Sequence, residues 1–145
     1  MQTYSKYEEQ QNQMKSNIIH FVDYLYINNL SFIVVMDMVR GIDPTQPRPK
    51  DLPYISPSQY QEYDNITIKE SLDFLKSHPE LKRDVLVELE THYENEPLLI
   101  LSVAYQLYPQ LRQEIDEIYK NITFKFLWNN YEVFQQVVLL PPSYF

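Results

Sequence analysis

The chain contains no cysteine and only one glycine, Gly41. Without cysteine there can be no disulfide scaffold, no thiolate zinc site and no cysteine nucleophile, and the redox compartment stays open. One glycine leaves no Gly-rich loop whose backbone amides can approach a phosphate, so dinucleotide fingerprints and P-loops are excluded. The strained nucleophile elbow, which needs flanking glycines, is excluded on the same ground. Basic charge is scarce too. Twelve Lys and Arg stand against twenty Asp and Glu, a net charge of −8. That balance argues against a dedicated binder of nucleic-acid backbone, and no basic patch interleaved with aromatics appears. The polar start Met1-Gln-Thr-Tyr-Ser-Lys-Tyr-Glu-Glu carries no signal-peptide pattern, so cytoplasmic residence is the default expectation. Ile18 to Val39 is apolar enough to test as a membrane span. It holds His20, Asp23, Asn28, Asn29 and Asp37, each costly in hydrocarbon, so a buried core segment is the better reading and no membrane partner is expected.

What is present is ordinary globular material rich in aromatics. The 145 residues fit a single domain over 1–145 and are 44% hydrophobic and 22% charged, with thirteen Tyr, seven Phe and one Trp. The most informative pattern is a loose repeat. Phe74-Leu-Lys-Ser-His-Pro79-Glu-Leu-Lys-Arg-Asp-Val85 recurs thirty residues later as Ala104-Tyr-Gln-Leu-Tyr-Pro109-Gln-Leu-Arg-Gln-Glu-Ile115. A fixed period of this size marks stacked helical hairpins. Two copies fall short of the three or so that a solenoid needs, so flanking helices must cap them.

Apolar spacing predicts the remaining elements. Residues 1–13 are Gln-rich and expected to be loosely ordered. Ile18, Val22 and Leu25, with Phe21, mark a helix from Met14. Ser31 suits the cap of another helix over Phe32 to Arg40, closed by Gly41 and Pro44. Ile42 to Asn65 holds five of the ten prolines and reads as a Pro-rich loop, with Tyr54, Ile55, Tyr60 and Tyr63 lying against the helices. Thr67-Ile-Lys-Glu70 and Ser77-His-Pro-Glu80 read as capping boxes. Ile68, Leu72 and Leu75 form one stripe, and Leu81, Val85 and Leu89 another. The helix after Pro97 is apolar on every side, which places Leu98 to Tyr108 at the centre of the fold. Residues 122–138 allow a β-hairpin turning at Asn129-Asn130. A helix is favoured there because Leu111, Ile122, Phe126, Val133 and Val137 keep one helical phase. The expected architecture is all-α, a compact helical bundle of about five or six helices. It has helix pairs at 67–94 and 97–122, a Pro-rich loop at 42–65 and a tail at 140–145. The alternative is an α+β fold with a C-terminal hairpin over 122–138.

No constellation with catalytic or metal-binding spacing stands out, so neither a cofactor nor enzymatic activity is expected. Glu88 and His92 lie one turn apart, geometry that can offer two metal ligands, but a third is not evident and an ordinary surface pair is the simpler reading. His20 lies in an apolar run and reads as a hydrogen-bonded core histidine. Between Pro79 and Lys120 nine Asp and Glu face four Lys and Arg, with Glu80, Asp84 and Glu88 spaced one turn apart. Such a ladder is ordinarily a solvated face, and its functional reading is a docking surface for a basic partner. The tail Pro141-Pro-Ser-Tyr144-Phe145 resembles the Pro-Pro-x-Tyr ligand of WW domains, and Ser143 with a terminal Phe145 resembles a PDZ ligand. The plainer reading is that Pro-Pro ends the last helix and the aromatic pair packs back.

Together these features point to a non-enzymatic protein–protein interaction module, an adaptor, assembly factor or inhibitor. The expected partner is another protein, and a basic one would suit the acidic faces. Tyr54, Tyr60, Tyr63, Tyr144, Phe145, Glu80, Asp84 and Glu88 are the expected contacts. Self-association through aromatics is an equally simple use. The alternatives are an acidic decoy that mimics nucleic acid and a metal-dependent enzyme using Glu88 and His92.

Overall fold

A computed structural model describes residues 6–28, 55–89 and 97–139, with the backbone alone for 86–89. Among the described residues there are six α-helices and no strand. They are α1 (Lys6–Ile27), α2 (Pro57–Ser77), α3 (Lys82–Leu89), α4 (Ile100–Leu107), α5 (Arg112–Asn129) and α6 (Tyr131–Val138). The all-α reading holds, and the hairpin over 122–138 does not form. In that stretch Ile122, Thr123, Phe126, Leu127, Val133, Phe134 and Val137 are buried, a three-to-four spacing that only a helix satisfies. The 32–40 helix, the 42–54 part of the Pro-rich loop and the 140–145 tail lie outside the described residues. Among the described residues no helix is long and apolar enough to cross a membrane.

The chain forms two compact units, one from Met1–Gln59 with Thr123–Phe145 and one from Tyr60–Ile122. In the first, α1 begins at Lys6, earlier than the apolar pattern suggested, and buries Ile18, Val22 and Leu25. Its end is fixed by Asn28, whose Nδ2 and backbone N–H both donate to the Tyr24 carbonyl at 2.8 and 3.1 Å. An orphan carbonyl of the last turn is thereby satisfied.

The start of α2 corrects the sequence reading. The helix opens at Pro57, so Tyr60 and Tyr63 sit on a helix and not in a loop. Ser56-Pro57-Ser58-Gln59 is the true capping box. Ser56 Oγ accepts from the Gln59 N–H at 3.3 Å, and Gln59 Oε1 accepts from the Ser56 N–H at 2.9 Å. Pro57 stands at the first helical position, where its missing N–H costs nothing. Thr67 is mid-helix, and its hydroxyl donates back to the Tyr63 carbonyl at 3.0 Å. The buried face of α2 is Tyr63, Thr67, Ser71, Phe74 and Leu75, so the stripe is turned away from the expected Ile68 and Leu72, which are half-buried.

In the second unit both prolines of the repeat open a short 3₁₀ turn leading into a helix, Pro79–Leu81 before α3 and Pro109–Leu111 before α5. The residue before each proline has the same backbone, φ −131° and ψ 63° at His78 and φ −127° and ψ 81° at Tyr108. The same backbone, φ −129° and ψ 59°, recurs at Asn130, which precedes no proline, so it belongs to the tight junction before a helix. Neither corner carries a side-chain cap. Ser77 donates instead to the Asp73 carbonyl at 3.1 Å, so the expected second capping box does not form. Val85 and Ile115, equivalent in the repeat, are both fully buried. The apolar segment Leu98 to Tyr108, a 3₁₀ turn over Pro97–Leu99 followed by α4, is not enclosed on all sides. Ile100, Leu101 and Ala104 are buried, whereas Leu98 and Leu99 are each 44% exposed.

Candidate functional site

The first unit carries an open groove of about 490 Å³ between α1 and α6. From α1 come Asn17, His20 and Phe21, one helix face by their three- and four-residue spacing. From α6 come Tyr131, Phe134, Gln135 and Val138, again one face, followed by Leu139. Val133 and Val137 point to the opposite side of α6 and are buried in the core. One short helix thus buries Val133, Phe134 and Val137 while Tyr131, Gln135 and Val138 stay half-buried or exposed along the groove.

Aromatic packing builds the floor. Phe21 and Phe134 meet edge to face, with centroids 5.5 Å apart and planes at 75°. Tyr131 lies 5.4 Å from Phe134. Such pairs add about 0.5–1.5 kcal/mol beyond the area they bury. Asn17, His20 and Gln135 give the groove a polar, hydrogen-bonding rim, and among the described residues no carboxylate lines it. The end of the groove is strongly apolar, with Val138 exposed and Leu139 83% exposed.

A polar hub sets the start of α6. Asn130 is buried, and its Nδ2 donates to the Phe126 carbonyl at 2.9 Å, closing the end of α5. Gln59 Nε2 donates both to Asn130 Oδ1 and to Glu132 Oε1, each at 2.9 Å. The Asn130 carbonyl accepts from the Val133 N–H at 2.9 Å and begins the next helix. A break of one residue between α5 and α6 is therefore pinned from both sides, which fixes the angle at which Tyr131 and Phe134 reach the groove.

The expected contact residues fall differently. Tyr63 is 4% exposed and packs inside its unit, so it does not present a surface ring. Tyr60 is half-buried on α2. Glu80 is exposed and lies 3.4 Å from His78 Nδ1. Asp84 accepts a short hydrogen bond from the Tyr108 hydroxyl. Tyr54, Tyr144, Phe145 and the side chain of Glu88 lie outside the described residues, as does His92. His20 is exposed at the groove rim and is not a core histidine. Among the described residues no group of three or more His, Asp or Glu is placed to hold a metal ion.

Sequence reading missed the groove because it is made by helices more than a hundred positions apart. Half of the signal was present. The spacing Tyr131, Phe134, Gln135, Val138 marks a second apolar stripe on a helix whose core stripe is Val133 and Val137. No protein family model, curated protein or solved structure matches the chain.

Proposed function

We propose that the protein is a non-enzymatic protein–protein interaction module that docks an apolar segment of a basic partner in the α1–α6 groove. The observation that carries this reading is the groove floored by half-buried Phe21 and Tyr131 against buried Phe134 and continued by the exposed side chains of Val138 and Leu139. Rigid aromatic rings in a shallow apolar groove offer large contact area at little entropic cost, and a neutral amide rim can meet a partner's backbone. The net charge of −8 supplies the long-range attraction that brings a basic partner to the surface.

The acidic helix face is the weaker candidate. Glu80 and Asp84 are engaged by His78 and Tyr108 within their own unit, whereas the groove residues Val138 and Leu139 are open. This favours the groove over a nucleic-acid-like row of carboxylates as the primary contact.

The test is affinity capture from the cells that make the protein, comparing the native chain with a Val138→Glu/Leu139→Glu double variant. Both positions are exposed at the end of α6, so the helical circular-dichroism signal should survive. A basic protein recovered with the native chain and reduced at least about tenfold with the variant supports the groove, since tenfold corresponds to about 1.4 kcal/mol. Equal recovery removes the groove as the site. Recovery that vanishes in moderate salt for both chains supports the acidic face instead.

A further inference from the structure

The two copies of the repeat hold one another by the same pair of positions, in both directions. His78, which precedes Pro79, bonds Glu114, five places after Pro109; His78 Nε2 lies 3.0 and 3.1 Å from the two Glu114 oxygens. Tyr108, which precedes Pro109, donates to Asp84, five places after Pro79. Simple stacking of repeats would send such contacts one way only. Reciprocal contacts are the mark of a twofold relation, here inside one unit of one chain. The two ties differ in chemistry, however, because one uses an imidazole and the other a phenol.

We infer that the His78–Glu114 contact is a pH-operated latch on one side of this internal twofold, while its counterpart Tyr108–Asp84 stays closed through the same pH range. Three carboxylates surround the pair of ties. Glu114 reaches His78 Nε2 from α5, Glu80 reaches Nδ1 from the Pro79 turn at 3.4 Å, and Asp84 of α3 holds Tyr108. From α2 the Phe74 ring packs on the imidazole, with centroids 4.9 Å apart. With a carboxylate at each ring nitrogen, only the protonated imidazole donates to both. Losing that proton turns one of the two contacts into a clash of lone pairs and leaves Glu80 and Glu114 uncompensated.

The electrostatics agree with the geometry. His78 is held above the ordinary histidine value, first by its hydrogen bond to Glu114, then by the charges of Glu114 and Glu80, against an opposing desolvation. A raised folded-state value means the tie is at full strength below the ordinary histidine pKa of 6.5 and weakens as pH rises through the raised value. Tyr108 is pushed up to about 12, chiefly by its bond to Asp84, so it stays a donor far beyond that range. Mild alkalinisation therefore releases the first turn of α5 from the α2–α3 corner on one side only and adds negative charge to the acidic face.

The substitution His78→Tyr tests this, because it installs on the first copy the residue the second copy already uses. For the native chain the urea midpoint should fall between about pH 6 and about pH 9, the range in which histidine loses its charge. His78→Tyr should remove at least half of that fall, His20 and His92 being common to both chains. An identical fall in both overturns the latch. If His78→Tyr does not fold, the titration of the His78 ring decides by nuclear magnetic resonance. It should lie above the ordinary value in the native chain and move towards it in Glu114→Gln; an ordinary value in both overturns the latch.

Discussion

Gln59 Nε2 donates to Asn130 Oδ1 at 2.9 Å, joining residues 71 positions apart. Gln59 is the last residue of the capping box that starts α2, and Asn130 is the single residue between α5 and α6. One buried amide thus links the end of α5, the start of α6 and the start of α2, and through α6 it orients the groove.

Asn130→Ala removes the Phe126 carbonyl's side-chain partner and leaves Gln59 with one bond fewer. A loss of about 1–3 kcal/mol is expected, about 0.5–1.5 kcal/mol for each of the two hydrogen bonds removed. Urea denaturation followed by circular dichroism checks it. An unchanged midpoint would show that the hub does not hold the junction.

The junction also shows what the residues disclosed and what they did not. The helical phase of Ile122, Phe126, Val133 and Val137 was legible, because burial at three-to-four spacing is a local property of the chain. The Pro79 and Pro109 corners were legible because proline in a first helical turn marks a helix start. The start of α2 was misplaced although its signal was in plain sight. Ser56-Pro57-Ser58-Gln59 satisfies the box as well as Thr67-Ile-Lys-Glu70 does, and the density of nearby prolines suggested a loop. Pairing between distant elements was not legible. The reach of His78 to Glu114, the burial of Tyr63 and the meeting of Phe21 with Phe134 follow from tertiary packing, which no local pattern encodes.

Ser71 is fully buried, and its hydroxyl has no hydrogen-bond partner among the described residues. Its counterpart in the repeat is Leu101, also buried. Ser71→Ala removes an uncompensated polar atom and introduces the best helix former, so stability should rise, by about 1 kcal/mol. Thermal unfolding reads this directly, and a drop in the midpoint would mean the hydroxyl has a partner.

Ile115 sits at the buried corner of the second copy, with no exposed surface. Ile115→Val should lose about 0.5–1.5 kcal/mol and Ile115→Ala about 2–5 kcal/mol, the usual steps for deleting core methyl groups. Equal, small losses from both would show a corner loose enough to collapse around the cavity.

Asp84→Asn should return the Tyr108 phenol from about 12 towards its ordinary 10.0, because the bond to the Asp84 carboxylate is the largest cause of the shift. Phenolate absorbance in an alkaline titration checks it, with Tyr108→Phe identifying which of the thirteen tyrosines has moved. The titration of Asp84→Asn coinciding with that of the native chain would mean the tie is absent in solution.

Hydrogen–deuterium exchange on the complex with the captured partner tests the docking groove most directly. Protection is expected in α1 around Asn17 to Phe21 and in α6 from Tyr131 to Leu139, with the α3 face carrying Asp84 unchanged. Protection confined to α3, with none in α1 or α6, would contradict the groove as the site.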